Sequence, residues 1–160
     1  MHTIDLKTTI KVYDSRNELP SELGNLIEQA YQAARQAYCP YSHFQVGVAL
    51  ELVDGTIIKG NNQENAAYTS GLCAERTAAF YAAANYPDTP MHRMSIVAIN
   101  PGKPLTVPIS PCGSCRQSLL EFEQKFNHNI ELILAAENGP IYVVPSVHDL
   151  LPCSFTSEYL

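Results

Sequence analysis

Two short segments carry residues whose types and spacing could do chemistry together. Cys73 is followed two positions later by Glu75, and Cys112 and Cys115 lie three positions apart in a second segment. In both segments a loop precedes the cysteine and good helix formers follow it. A helix start leaves N–H groups unpaired and carries partial positive charge, so it favours thiolate over thiol. Because thiolates bind metal ions, this pattern predicts that Cys73, Cys112 and Cys115 hold one zinc ion per chain.

Three protein ligands leave one corner of a zinc tetrahedron open, which is typical of catalytic sites. The open corner would hold a water molecule that zinc makes more acidic. Glu75 is expected to take the proton of this water and deliver it to a substrate. Arg76 is predicted to compensate the charge of the thiolates, with Arg116 as the second candidate.

Other interpretations of the cysteines stay open from the residues alone. Cys112 and Cys115 could form a redox pair or half of a structural zinc site. Cys39, Cys153 or one of the five histidines could supply a fourth ligand, which would close the site. His92 and His128 match no ligand pair and are expected at the surface.

The elements around these segments predict a layered α/β domain with a central mixed sheet. Apolar alternation predicts strands, and apolar residues at helical spacing predict helices. The predicted strands are 3–13, 44–53, 56–60, 94–99, 130–136 and 141–144, and the predicted helices are 21–37, 73–85, 112–126 and 146–150. Asp54-Gly55 marks the turn of a hairpin between the second and third strands.

Composition restricts the compartment and the partners. The 160 residues fit one domain, and the formal net charge of −6 argues against a nucleic-acid partner. No apolar run approaches a membrane span and the start has no signal-peptide pattern, so no membrane partner and a cytoplasmic location are expected. Charged residues make up only 16%, which suggests that some surface is buried against copies of the chain.

In combination, the motifs resemble the zinc-dependent cytidine deaminase family, of the short-chain, homotetrameric type. The matching segments are 41–47, 62–66, 73–76, 111–117 and 150–155. The resemblance implies a three-layer α/β/α fold with a central mixed sheet of about five strands, plus an extra N-terminal strand. Residues 1–20 would form an N-terminal extension and 21–160 a single catalytic domain. Gln45, Val48 and Gln63 depart from residues common in the family, and none of them belongs to the proposed chemistry.

The activity that the resemblance implies is hydrolytic deamination of cytidine and 2′-deoxycytidine to the uridines, with release of ammonia, as in pyrimidine salvage. Zinc-bound hydroxide would attack ring carbon 4. Glu75 would protonate ring nitrogen 3 and then the departing amine. Ala74, through its backbone, would help Glu75 to hold the ring.

The resemblance also implies residues that bind the nucleoside. Asn62 and Glu64 would bind the ribose, chiefly its 3′-hydroxyl, and Phe44 would pack against the pyrimidine. Phe155 would reach into the site of a neighbouring subunit of a homotetramer. From the residues alone, Asn62 and Glu64 could equally be turn residues, and Phe44 and Phe155 could belong to the core.

Three alternative functions stay open at this point. The same scaffold could deaminate a cytosine-bearing antibiotic such as blasticidin, or a nucleotide. A non-catalytic zinc module would need four protein ligands, and a thiol-redox protein would form a reversible Cys112–Cys115 disulfide without metal.

Overall fold

The computed structural model describes all 160 residues and is built around one six-stranded sheet. The strands are β1 (Lys11–Tyr13), β2 (Gln45–Leu52), β3 (Ile57–Asn61), β4 (Met91–Ile99), β5 (Glu131–Ala135) and β6 (Ile141–Val144). Their order across the sheet is β1-β6-β5-β4-β2-β3. Neighbouring strands are antiparallel except for β4 and β5, which are parallel. The sheet is therefore mixed, as predicted.

Helices cover both faces of the sheet. Helix α1 (Ser21–Ala34) packs on one face, whereas α2 (Ala74–Asn85) and α3 (Gly113–Phe126) pack on the other. Successive residues of β2 point to opposite faces, so that Val48 contributes to the α2–α3 side and Ala49 to the α1 side. Both sides are buried, which explains why the central strands are almost continuously apolar. The three-layer α/β/α prediction is confirmed.

Two glycines bring helices directly onto the strands. A Cβ at Gly47 would overlap the backbone of Ala30 and Ala34, so α1 lies against the start of β2. A Cβ at Gly60 would stand 2.6 Å from the Ala74 carbonyl oxygen. The first turn of α2 is therefore fixed on β3.

The predicted element boundaries differ from the observed ones at several ends. Helix α1 ends at Ala34, because the following turn tightens through bonds from Gln36 N to Ala33 O and from Ala37 N to Ala34 O. Strand β4 begins at Met91, three residues early, because it pairs with the end of β2. The predicted helix 146–150 is a 3-10 turn, Val147–Leu150.

The N-terminal strand is much shorter than predicted. Only Lys11–Tyr13 pairs with the sheet, against Ile141–Val143 of β6. Strand β6 has four residues and is followed by Pro145, whose missing N–H cannot extend a ladder. The alternating apolar residues of 3–10 consequently find no partner strand, and Ile4 and Leu6 stay exposed.

No helix of the protein combines the length and the apolar character that a membrane crossing requires.

Candidate active site

The starts of α2 and α3 lie at the same edge of the sheet, for a topological reason. Strands β3 and β4 both pair antiparallel with β2, so β3 and β4 run in the same direction. Helix α2 follows β3 and α3 follows β4 along the chain, and both helices pack on the same face. The two helices therefore begin near the same ends of the strands. This arrangement brings two sequence-distant cysteine motifs together.

The three predicted zinc ligands meet at this edge. Cys73 is the N-cap of α2 and Cys112 the N-cap of α3, whereas Cys115 lies buried in the first turn of α3. The Sγ atoms of all three lie within 4.8 Å of one another. Cys112 Sγ is 3.4 Å from Cys115 Sγ and 3.9 Å from Cys73 Sγ. The cluster contains no histidine and no carboxylate.

The electrostatics of the cluster favour negative charge on the sulfur of Cys73. Hydrogen bonds from Cys115 and from Arg76 lower the pKa of Cys73 to about 5. The pKa of Cys115 is raised, because its thiol donates a hydrogen bond to Cys73 and because the group is buried. Arg76 Nη2 lies 3.9 Å from Cys73 Sγ. Arg116, the other predicted cation, instead donates at 2.8 Å to the carbonyl oxygens of Pro111 and Leu150.

These residues fit a zinc ion on chemical grounds. Soft thiolates at two helix starts are a donor set that selects zinc. Cys73 and Cys112 also line the adjoining pocket, so one side of the cluster faces a cavity. Cys39, Cys153 and the histidines lie outside the cluster, and His92 instead contacts His128, with 3.4 Å between Nδ1 and Nε2. Three ligands beside a cavity favour a catalytic site over a closed structural one.

Glu75 is a buried carboxyl group on the wall of this pocket. The residue is 4% exposed and lies in the first turn of α2. Its pKa is raised, mainly because burial disfavours the charged form, and the negative charge of Cys73 adds to the effect. A carboxyl group with a raised pKa can both accept and return a proton near neutral pH.

The pocket beside the cluster encloses about 610 Å³, a size that suits a small ligand. Seven of the residues predicted for the site line it: Asn62, Glu64, Cys73, Ala74, Glu75, Arg76 and Cys112. The other three predicted residues, Phe44, Cys115 and Phe155, are not among the lining residues. The sequence interpretation did not single out several others, including Tyr41, Ser42, Ile109 and Ser110. The first two belong to a motif that carried the resemblance, and the last two directly precede Pro111.

Asn62 ties two chain segments together at the pocket wall. Its Oδ1 accepts a hydrogen bond from Val46 N at 2.8 Å, and its Nδ2 donates to Phe44 O at 2.9 Å. One amide side chain thus pairs with the backbone on either side of Gln45. The bonds hold the partly buried Phe44 beside the pocket, even though its ring does not line the cavity.

Glu64 makes comparable contacts with the chain segment that precedes Phe44. Its carboxylate accepts hydrogen bonds from Tyr41 N at 2.9 Å and from the backbone and hydroxyl of Ser42. The Ser42 hydroxyl is the main cause of a lowered pKa of Glu64. Glu64 therefore carries a negative charge at neutral pH and can only accept hydrogen bonds.

Phe155 lies outside the pocket of its own chain. Its side chain is 59% exposed and stacks on Tyr159, with 5.6 Å between ring centroids. Its carbonyl oxygen accepts a hydrogen bond from Gln117 Nε2 at 2.9 Å, which anchors the C-terminal segment to α3.

The fold and the site together define a class of enzyme: a three-layer α/β domain in which a cluster of three cysteines that can hold zinc adjoins a pocket with a buried carboxyl group on its wall. The family model described as "Cytidine and deoxycytidylate deaminase zinc-binding region" matches residues 20–127. The chain belongs to this family of zinc-dependent deaminases, which confirms the resemblance.

Relatives and solved structures agree with this assignment. The chain is 42% identical over 133 residues to a cytidine deaminase of Halalkalibacterium halodurans, covering 83% of this chain and 93% of that one. It is 40% identical over 139 residues to a cytidine deaminase of Sporosarcina psychrophila, covering 87% and 95%. The crystal structure of a cytidine deaminase from Burkholderia pseudomallei superposes with a TM-score of 0.71 at 40% identity, covering 82% and 98%.

Proposed function

We propose that the chain hydrolyses cytidine and 2′-deoxycytidine to uridine and 2′-deoxyuridine, with release of ammonia, in nucleoside salvage, and that residues 21–160 form the catalytic domain. The observation that carries the proposal is the position of Glu75, a buried carboxyl group beside three clustered thiols on the wall of one pocket. The relatives are named as cytidine deaminases, which supports cytidine as a substrate.

The metal and Glu75 have separate tasks in this reaction. Zinc held by Cys73, Cys112 and Cys115 supplies Lewis acidity that makes water a usable nucleophile near neutral pH. Glu75 accepts a proton from the attacking water and gives it to ring nitrogen 3, while the oxygen bonds to carbon 4. It then carries the second proton of the water to the exocyclic amine, which leaves as ammonia when the carbon–nitrogen bond breaks. The raised pKa of Glu75 suits a group that gains and loses protons in each turnover.

Backbone and polar side chains place the nucleoside against Glu75. Ala74 is the first residue of α2, so its N–H has no partner within the helix and can donate to the ring carbonyl. Glu64 accepts a hydrogen bond from a sugar hydroxyl, and Asn62 offers its remaining donor and acceptor capacity. Phe44 packs against the pyrimidine when substrate is bound.

Charge in the pocket favours a free nucleoside over a nucleotide. The lining contains the carboxyl groups of Glu64 and Glu75, and its one lysine or arginine, Arg76, is paired with Cys73. A phosphate group would meet negative charge without a free cation to compensate it.

A neighbouring chain completes the site in this proposal. The protein forms a homotetramer in which Phe155 covers the pocket of an adjacent subunit. Support comes from the Phe155 ring, which is exposed and lies outside the pocket of its own chain.

Ammonia release from four substrates tests the proposal with the zinc-loaded protein. We expect turnover of cytidine and 2′-deoxycytidine, and much slower release from cytidine 5′-monophosphate and from blasticidin. A chelator should abolish turnover, and added zinc should restore it. Faster turnover of the monophosphate or of the antibiotic would overturn the substrate assignment. Bound zinc with no turnover of any substrate would instead indicate a non-catalytic zinc module.

A further inference from the structure

One hydroxyl group at the pocket connects two of the residues that the proposed function assigns to the substrate. Ser42 Oγ donates a hydrogen bond to Glu64 Oε1 and accepts one from Phe44 N at 3.0 Å. Ser42 is the only residue whose side chain hydrogen-bonds to the Glu64 carboxylate; the other two donors are the backbone N–H groups of Tyr41 and Ser42.

The backbone around Ser42 forms a tight turn that places this hydroxyl. His43 N bonds to Cys39 O at 3.0 Å, and His43 has a φ of 55°, in the left-handed region. Phe44 N also donates a hydrogen bond to Ser42 Oγ within the same turn. Serine hydroxyls commonly accept such a bond from the N–H two residues later. With Phe44 N donating to the oxygen, the Ser42 hydroxyl donates its own proton to Glu64 Oε1.

The three donors occupy part of the Glu64 carboxylate and leave the rest free. Tyr41 N and Ser42 N donate to Oε2, whereas Ser42 Oγ alone donates to Oε1. A carboxylate offers about four acceptor positions, so at least one remains for a ligand. Without the Ser42 hydroxyl, Oε1 would lose its only protein partner, and the carboxylate could rotate about its broad terminal torsion.

We propose that Ser42 is a positioning residue, which fixes the Glu64 carboxylate to accept a hydrogen bond from the 3′-hydroxyl of the nucleoside sugar. This inference rests on the proposed function. Ser42 does not take part in proton transfer, which belongs to Glu75. Its contribution is therefore to substrate binding, because the carboxylate is already oriented before the sugar arrives.

Kinetics on two substrates test the proposal. With 2′-deoxycytidine, Ser42→Ala should lower kcat/KM about tenfold, mostly through KM, because a hydrogen bond to a charged group is lost. With 2′,3′-dideoxycytidine, which lacks the 3′-hydroxyl, the same variant should lose no more than about twofold, because Glu64 has no sugar group to bind there. Ser42→Thr restores the hydroxyl and should return close to the wild-type value.

A matched control separates this effect from a general loss of a serine. Ser118 bonds to Ser114 O within α3 and does not line the pocket. Ser118→Ala should leave both substrates unchanged. If Ser42→Ala does not fold, Ser42→Cys keeps the shape of the side chain, replaces the hydroxyl with a weak donor and permits the same comparison.

The outcomes distinguish a failure of the proposed Ser42 role from a failure of the proposed function. A wild-type protein that deaminates 2′-deoxycytidine, with Ser42→Ala equally active or equally impaired on both substrates, would overturn the role of Ser42 only. A fall in kcat with unchanged KM would also overturn it. A zinc-loaded wild-type protein that turns over neither nucleoside would overturn the proposed function, and this inference with it.

Discussion

Glu75 shows how a single residue obtains its chemistry from its surroundings. A glutamate at a helix start would ordinarily stay ionised, because the unpaired N–H groups there favour negative charge. At this position burial and the neighbouring Cys73 outweigh that effect and raise the pKa of the carboxyl group. Cys73 experiences the opposite, since donors from Cys115 and Arg76 stabilise its thiolate. Cys73 and Glu75 are two residues apart in sequence, yet the thiol is suited to hold metal and the carboxyl group is suited to carry protons.

Replacing Glu75 by glutamine separates these two tasks. Glu75→Gln keeps the shape and the cysteine cluster, so we expect stoichiometric zinc and an unchanged fold. Turnover of cytidine should fall by about 10²- to 10⁴-fold, because an amide cannot carry the proton. Absorbance of cytidine during the reaction and elemental analysis of the purified protein provide the two measurements. Glu121→Gln, on the exposed side of α3, serves as the control, and a Glu75→Gln rate close to wild type would remove the proton-transfer role.

The ligand set can be tested through metal content alone. Cys112→Ala removes one of three thiolates, and we expect loss of zinc after dialysis, since two ligands bind much more weakly than three. Cys39→Ala, outside the cluster, should keep one zinc per chain. Stoichiometric zinc in the Cys112 variant would exclude that residue from the ligands.

At the scale of elements, the site depends on how closely α2 lies against the sheet. Gly60 of β3 contacts the first turn of α2, the same turn that carries Ala74 and Glu75. At the far end of α3, the buried Glu123 accepts hydrogen bonds from Ile130 N at 2.7 Å and Val147 N at 2.9 Å. These contacts fix both helices, and therefore the spacing of the cysteines at their starts.

A methyl group at Gly60 should displace the first turn of α2 and thereby disturb the site. The Cβ of Gly60→Ala would lie 2.6 Å from Ala74 O and 2.8 Å from Ala78 N, so α2 has to shift. We expect a loss of about 1–3 kcal/mol in the free energy of unfolding, together with lower turnover. In Gly24→Ala, the control on α1, the new Cβ has no atom within 4 Å. That variant should gain about 0.5–1 kcal/mol from helix propensity. Denaturant unfolding of the zinc-loaded proteins measures both, and equal stability of the Gly60 variant and the wild type would contradict the close packing.

At the scale of the whole molecule, the two ends of the chain are attached to the rest of the protein in different ways. Residues 1–10 are exposed, and their side chains make one hydrogen bond to the rest of the chain, from Thr8 Oγ1 to Asp149 O at 2.6 Å. Strand β1 and strand β3 form opposite edges of the sheet. The pocket lies near β3, which leads into α2. The C-terminal segment, in contrast, is bonded to α3 through Gln117.

Deleting residues 1–10 should therefore have little effect on folding and activity. The segment buries few groups, so we expect a change below about 1 kcal/mol in the free energy of unfolding and an unchanged kcat on cytidine. Thermal unfolding and a cytidine assay of the shortened chain are the measurements. A loss well above this value would contradict the weak attachment of the extension.

The subunit arrangement gives a separate prediction. Light scattering of the wild-type protein should report four chains per particle. Phe155→Ala should keep that assembly and raise KM for cytidine, because in the proposed tetramer the ring covers the pocket of a neighbouring chain. The control is Tyr81→Phe, an exposed residue of α2 that does not line the pocket. A fully active monomer would contradict both the tetramer and the role of Phe155.

The sequence by itself determined the local features of this protein. Apolar periodicity located the helices and most of the strands, because alternation and helical spacing follow directly from which faces are buried. The cysteine motifs pointed to metal because their chemistry arises within single helix starts. The resemblance then assigned Asn62, Glu64 and Glu75 to a substrate, and all three line one pocket.

Only the tertiary structure decided what depends on contacts between distant segments. Cys73 meets Cys112 and Cys115 because β3 and β4 run in the same direction beside β2, a property of the sheet and not of either motif. The N-terminal strand stops at three residues because β6, its partner, ends at Val144. The orientation of Glu64 likewise comes from a turn 22 residues away, at Ser42. These features depend on which segments become neighbours in the fold, and the residue pattern within one segment does not indicate which other segments it will contact.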